Sequence, residues 1–190
     1  KRAAENALEH GDTKYTPVSG TKALRDAICR KLERENKVSY TAEQIVVSNG
    51  AKQSIANACM ALLNPGDEII LPSPFWISYA AIAELAGAKV VEIKAGVDEG
   101  FKVSAEKLEQ HITAKTKVIL YSSPCNPTGV VFNKQELRAI ADLMLKHPNI
   151  HVISDEIYEH INYLGEHYTI AQFEDVKDRV IIVNGFSKAY

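Results

Sequence analysis

One alternation constrains the fold of this chain more than any other feature. Short apolar, β-branched runs take turns with longer stretches of helical periodicity along all 190 residues. Runs at 44–48, 68–72, 89–93, 117–122, 151–154 and 179–183 predict strands. Patterns at 2–9, 22–35, 51–63, 76–86, 105–111 and 134–147 predict helices, with a shorter one at 169–173. Asn64-Pro65-Gly66-Asp67 reads as a turn, Gly87 closes a helix and Ser104 opens one. Most strand runs are continuously apolar, as strands covered on both faces must be, so the expectation is an α/β fold on a mainly parallel sheet. No repeat, low-complexity stretch or long linker interrupts it, and residues 1–190 read as a single domain.

Composition removes several classes of function. A net charge of -2 gives no basic surface for nucleic acid or an anionic membrane. The apolar runs are too short to span a bilayer. Cys29, Cys59 and Cys125 are odd in number and far apart, with no Cys-x-x-Cys spacing. That argues for a reducing, cytoplasmic compartment and against a disulfide framework or a metal site. The chain has no Met at Lys1, begins in the pattern of a helix already under way, and stops directly after Lys188. The expectation is therefore a piece of a longer protein.

In open parallel sheets, ligands bind beyond the carboxyl ends of the strands. The polar residues falling there are Asn49-Gly50-Ala51-Lys52-Gln53, Ser73-Pro74-Phe75-Trp76, the loop 123–129 with Asn126, then Asp155 with Tyr158, and lastly Ser187-Lys188. Each has an ordinary reading beside a chemical one. A Gly at a helix start leaves amides free for phosphate, or is only a tight connection. Asp155 ends a buried run, so it either caps a helix or meets a cation. Trp76 packs in the core or offers a flat face to an aromatic ligand. Asn126 initiates a turn or donates to a ligand oxygen. Tyr158, three residues after Asp155, shares its face on a helical turn. A lysine delivered by a strand end into a partly apolar pocket has a lowered pKa and attacks aldehydes; most lysines are solvated surface charges. Taken together the set describes one ligand, an aromatic ring bearing a phosphate, a ring nitrogen and an aldehyde, which is pyridoxal phosphate.

On these residues the chain resembles the class I, fold-type I aminotransferases, and among them the bacterial aspartate aminotransferase subgroup. The matching text covers nearly the whole chain: Lys14-Tyr15-Thr16-Pro17 with Gly20, Asn49-Gly50-Ala51-Lys52-Gln53, Asn64-Pro65-Gly66-Asp67-Glu68, Ser73-Pro74-Phe75-Trp76, Asn126-Pro127-Thr128-Gly129, Ser154-Asp155-Glu156-Ile157-Tyr158 and Gly185-Phe186-Ser187-Lys188. The resemblance implies a three-layer α/β/α large domain with a mainly parallel, mixed sheet. It implies an N-terminal arm, a last sheet strand and a small C-terminal domain lying outside these residues. Lys188 is implied to hold the cofactor aldehyde and later to shuttle the proton. Asp155 is implied to pair with the ring nitrogen, Tyr158 and Asn126 to bond the phenolic oxygen, and Trp76 to cover the ring. Gly50, Ala51, Lys52 and Ser187 fall to the cofactor, the first three chiefly through backbone amides at the phosphate. Trp76 and Asn126 also face the substrate. Tyr15 is implied to reach the phosphate site of a neighbouring subunit, hence a homodimer with shared sites, and the bond before Pro127 to be cis. Gly185 departs from the serine that some relatives carry.

The implied activity is ping-pong transamination between an L-amino acid, with L-aspartate first, and a 2-oxo acid, 2-oxoglutarate. Rivals on the same machinery are an aromatic, prephenate or methionine aminotransferase and a carbon–sulfur β-lyase. A non-catalytic regulatory module that keeps the cofactor fold is a rival of another class. A nucleotide-binding doubly wound domain is disfavoured, because no Gly-x-Gly-x-x-Gly follows the first strand.

Overall fold

The computed structural model describes residues 1–190. Five strands, β1 (Glu68–Ser73), β2 (Lys89–Lys94), β3 (Thr116–Ser122), β4 (His151–Asp155) and β5 (Val180–Val183), form one sheet in the order β2-β1-β3-β4-β5. Every pairing is parallel. The helices are α1 (Arg2–Glu9), α2 (Lys22–Lys31), α3 (Ala51–Leu62), α4 (Ser78–Leu85), α5 (Ala105–Glu109) and α6 (Lys134–Lys146). The one expected at 22–35 ends in a wider turn over Leu32–Asn36. The one expected at 169–173 is a 3-10 turn over Ile170–Gln172.

Strand periodicity divides the core in two. Ile70 of β1, Ile119 and Tyr121 of β3, and Val152 of β4 point to one face, where Leu137, Ile140, Ala141 and Met144 of α6 cover them. Ile69, Leu71, Val118, Leu120 and Ile153 point to the other face, onto Ile55, Ala58 and Cys59 of α3 and Tyr79, Ile82 and Ala83 of α4. Successive side chains of one strand feed opposite layers, which is why the central runs are apolar without a break. Burying each such Ile or Leu contributes roughly 2 kcal/mol. Local chemistry starts the helices where the core needs them. Asn133 Oδ1 accepts from the amides of Gln135 and Glu136 at 2.9 Å, and the Glu136 carboxylate accepts from Asn133 N at 2.7 Å, closing a box around the first turn of α6.

The strand expected at 44–48 is not one. Ala42–Gln44 forms a 3-10 turn, and residues 45–48 run extended without a ladder partner. Ile45, Val46 and Ser48 instead line a groove of about 710 Å³ together with residues 180–183 of β5 and Leu24 and Ile28 of α2. A strand exists through a run of its neighbour's amides and carbonyls, and here a single bond, Val47 N to the Ser19 carbonyl at 3.1 Å, stands in place of a ladder. Nor is the sheet mixed: no strand runs antiparallel.

Candidate active site

A parallel sheet sends all its carboxyl ends to one edge, and registration sets them level. Ser122 of β3 is paired with Asp155 of β4, and Asp155 with Val183 of β5. Beyond the ends the connections hold together. Ser123 N donates to the Asp155 carbonyl at 3.0 Å, and Glu156 N to the Val183 carbonyl at 2.8 Å. Cys125 Sγ lies 3.5 Å from the Pro74 carbonyl and ties the loop carrying Asn126 to the loop carrying Trp76. The bonds before Pro74, Pro124 and Pro127 are cis, the last as expected.

Asp155 is a buried carboxylate at the end of β4, 3% exposed. It is no helix cap; residues 157–160 make a turn, and its Oδ1 accepts from Ile157 N at 3.2 Å. Oδ2 accepts from the Tyr79 hydroxyl at 2.5 Å. Burial drives its pKa above the usual carboxylate value, and the two donors only partly offset this. No cation of the chain pairs with it.

The sequence reading passed over Tyr79, a lone tyrosine in an amphipathic pattern. The signal available was its position three residues after Trp76. It is 1% exposed, and burial followed by the Asp155 charge pushes its phenol far above its ordinary pKa, so it stays a donor. Its ring meets Trp76 edge-on, centroids 5.6 Å apart at 86°. Trp76 in turn lies under Lys52 Nζ, 4.9 Å from the ring centroid. Lys52, Trp76, Tyr79 and Asp155 are thus one connected chain of contacts.

The start of α3 carries no side-chain cap. Gly50 sits there at φ +87°, a conformation natural only to glycine, and a Cβ added to it would meet nothing within 4 Å. Ala51 and Lys52 occupy the first turn, where amides have no acceptor inside the helix. That is a ready anion site.

The other expected residues are less gathered. Lys188 is exposed, not held in an apolar pocket, because no element of the chain covers residues 185–188. Its ammonium stands 5.9 Å from the Tyr158 ring centroid. Asn126 is half-buried beside the Cys125 contact, and Ser187 is exposed. Tyr15 is fully exposed, between α1 and α2, and meets none of the others.

The donor set suits pyridoxal phosphate: free amides for a phosphate, an indole face for a ring, and a buried carboxylate whose natural partner is a protonated ring nitrogen. The family model for aminotransferase class I and II matches residues 1–190. The chain belongs to that family. Aminotransferases of this class depend on pyridoxal phosphate. Among the relatives of this aminotransferase chain is the aspartate/prephenate aminotransferase of Cereibacter sphaeroides, 45% identical over 192 residues, covering 100% of the chain and 48% of the relative. The crystal structure of the aspartate aminotransferase of Rhizobium meliloti superposes with a TM-score of 0.96 at 42% identity, covering 100% of this chain and 48% of that one. An aromatic aminotransferase of Pyrococcus horikoshii gives 0.94 at 40% identity, covering 98% and 50%. The chain spans about half the length of the curated relatives it matches. No helix is long and apolar enough to cross a membrane.

Proposed function

We propose that this chain forms the cofactor-binding large domain of a pyridoxal-phosphate-dependent aminotransferase acting on L-aspartate and 2-oxoglutarate by a ping-pong mechanism. The observation that carries it is Asp155, a buried carboxylate with two neutral donors and no cation, at the strand edge where Trp76 and the open start of α3 also lie. When bound, the cofactor supplies an aldehyde for the amino group and a protonated ring that draws electrons from the bond being broken. Asp155 holds the proton on the ring nitrogen. Ala51 and Lys52 bind phosphate through their amides, Trp76 covers the ring, and Asn126 and Tyr158 orient the phenolic oxygen. Lys188 Nζ would hold the cofactor at its aldehyde and, when free, would carry the proton from the substrate α-carbon. Ser187 lies beside it at the cofactor.

Aspartate is favoured by the names of the relatives; prephenate-type and aromatic oxo acids are the second reading, on the same ground. The full exposure of Tyr15 supports a homodimer in which it reaches the neighbouring subunit. The three free cysteines fit a reducing, cytoplasmic setting. The test is the visible spectrum of the full-length protein loaded with pyridoxal phosphate, before and after L-aspartate. Conversion of the lysine-bound band to that of the aminated cofactor is expected. A band that ignores aspartate but answers an aromatic amino acid moves the substrate; no lysine-bound band in a folded protein sinks the role of Lys188.

A further inference from the structure

Tyr79 touches both residues assigned to the cofactor ring from the α4 side of the site. Its hydroxyl ends on Asp155 Oδ2, and its ring edge meets the Trp76 indole at nearly a right angle. Its own amide donates to the Trp76 carbonyl at 2.9 Å. Behind it, Ile82 and Ala83 of the same helix are buried in the core under β1 and β3, so Tyr79 stands on a fixed base. Phe75 stacks on its other side, centroids 6.4 Å apart at 24°. A residue needed only to fill this space would be Phe. The phenol adds a donor aimed at the Asp155 carboxylate.

We propose that Tyr79 is a positioning residue for transamination: it aims and keeps ionised the Asp155 carboxylate that meets the cofactor's ring nitrogen, and it sets the plane of Trp76 over the same ring. The inference rests on the role given to Asp155 above. A donor on Oδ2 stabilises the carboxylate anion, so the shared proton lies on the ring nitrogen rather than on Asp155. Without it the proton moves toward the carboxylate, and the ring draws electrons less strongly. Tyr79 would act on the chemical step and hardly on substrate binding.

The experiment uses the full-length protein loaded with pyridoxal phosphate carrying ¹⁵N in the ring. Three variants are compared with wild type: Tyr79→Phe, Asp155→Ala, and 3,5-difluorotyrosine at position 79, which strengthens the donor at nearly unchanged shape. In Tyr79→Phe the ring-nitrogen resonance is expected between those of wild type and Asp155→Ala. Its kcat should fall about tenfold, the loss of one hydrogen bond to a charged group, with KM nearly unchanged. The fluorinated protein should move the resonance the opposite way. If both leave the resonance at the wild-type position while Asp155→Ala moves it, Tyr79 only packs and the proposal is overturned. If Asp155→Ala itself leaves the ring protonated, the reading of Asp155 fails first and takes this inference with it. Should Tyr79→Phe not fold, the fluorinated protein alone decides.

Discussion

Lys31, at the end of α2, closes on the Glu159 carboxylate from 128 positions away in the sequence. Asn36 Nδ2 donates to the second oxygen at 2.7 Å, and His160 Nε2 lies 3.3 Å from the first. The contact pins the end of α2 to the turn that carries Tyr158. Burial pushes the Glu159 pKa up, but Asn36 and Lys31 outweigh it and hold the carboxyl below its ordinary value of 4.5. A depressed carboxyl stabilises the fold above its unfolded pKa, and that stability is lost as pH falls through the folded value. Replacing Glu159 by Ala should therefore cost about 3 kcal/mol at neutral pH. The deficit should shrink as the medium is taken below about pH 4. Urea unfolding of both proteins across that range checks it; a deficit independent of pH would rule the ion pair out as its source.

Asp155 is expected to show the opposite dependence. Its folded pKa is raised by burial above the ordinary 3.8. A raised carboxyl makes the folded state the better proton binder, so stability falls as pH rises from about 3.8 through the folded value and then levels. In the cofactor-free full-length protein, Asp155→Asn should unfold at a higher temperature than wild type near pH 7, while losing nearly all turnover once loaded. Calorimetry on the two cofactor-free proteins measures this, and equal melting temperatures from pH 4 to pH 8 would contradict it.

All five strands were legible as short apolar, β-branched runs, the edge strands β2 and β5 included. β1, β3 and β4 feed side chains into both core layers, so uninterrupted apolar residues announced them. The run at 44–48 has the same composition, but it faces a groove, and composition carries no record of the partner a strand needs. Asp155 was legible because a carboxylate ending an apolar run is costly without a reason. The exposure of Lys188 was not, since what covers a side chain is decided by elements remote in sequence. Tyr79 was missed because its function lies in one oxygen, and helical periodicity registers only its ring.

Gly20 is held by a close approach. Its φ is +92°, and a Cβ there would stand 2.7 and 2.8 Å from two carbons of Val47, whose amide donates to the Ser19 carbonyl at 3.1 Å. Gly20→Ala meets both the backbone strain and the clash, and should cost about 2–3 kcal/mol. Val47→Gly removes both side-chain contacts, which Val47→Ala would not because its Cβ would stay 2.8 Å away, so the double variant with Val47→Gly should recover part of that loss. Denaturant midpoints of the four proteins give the coupling; strict additivity would mean that Val47 is not what Gly20 avoids.

The start of α3 allows phosphate binding by the backbone to be separated from binding by charge. Ala51 is the first helical residue after Gly50. Proline is well tolerated at that position, where its missing N–H has no partner in the helix and its fixed φ suits the first turn. Ala51→Pro should then leave the fold intact and delete one donor from the anion site. Lys52→Met deletes the ammonium that lies on Trp76 and keeps the amide. If amides hold the phosphate, Ala51→Pro weakens the full-length protein's affinity for pyridoxal phosphate by about tenfold or more, the loss of a hydrogen bond to a charged acceptor. It should leave affinity for pyridoxal, which has no phosphate, unchanged. Lys52→Met should cost less, because an exposed ammonium is screened by solvent. Equal weakening toward both ligands in Ala51→Pro would place the phosphate elsewhere, whereas a larger loss in Lys52→Met would transfer the task from the helix start to the side chain.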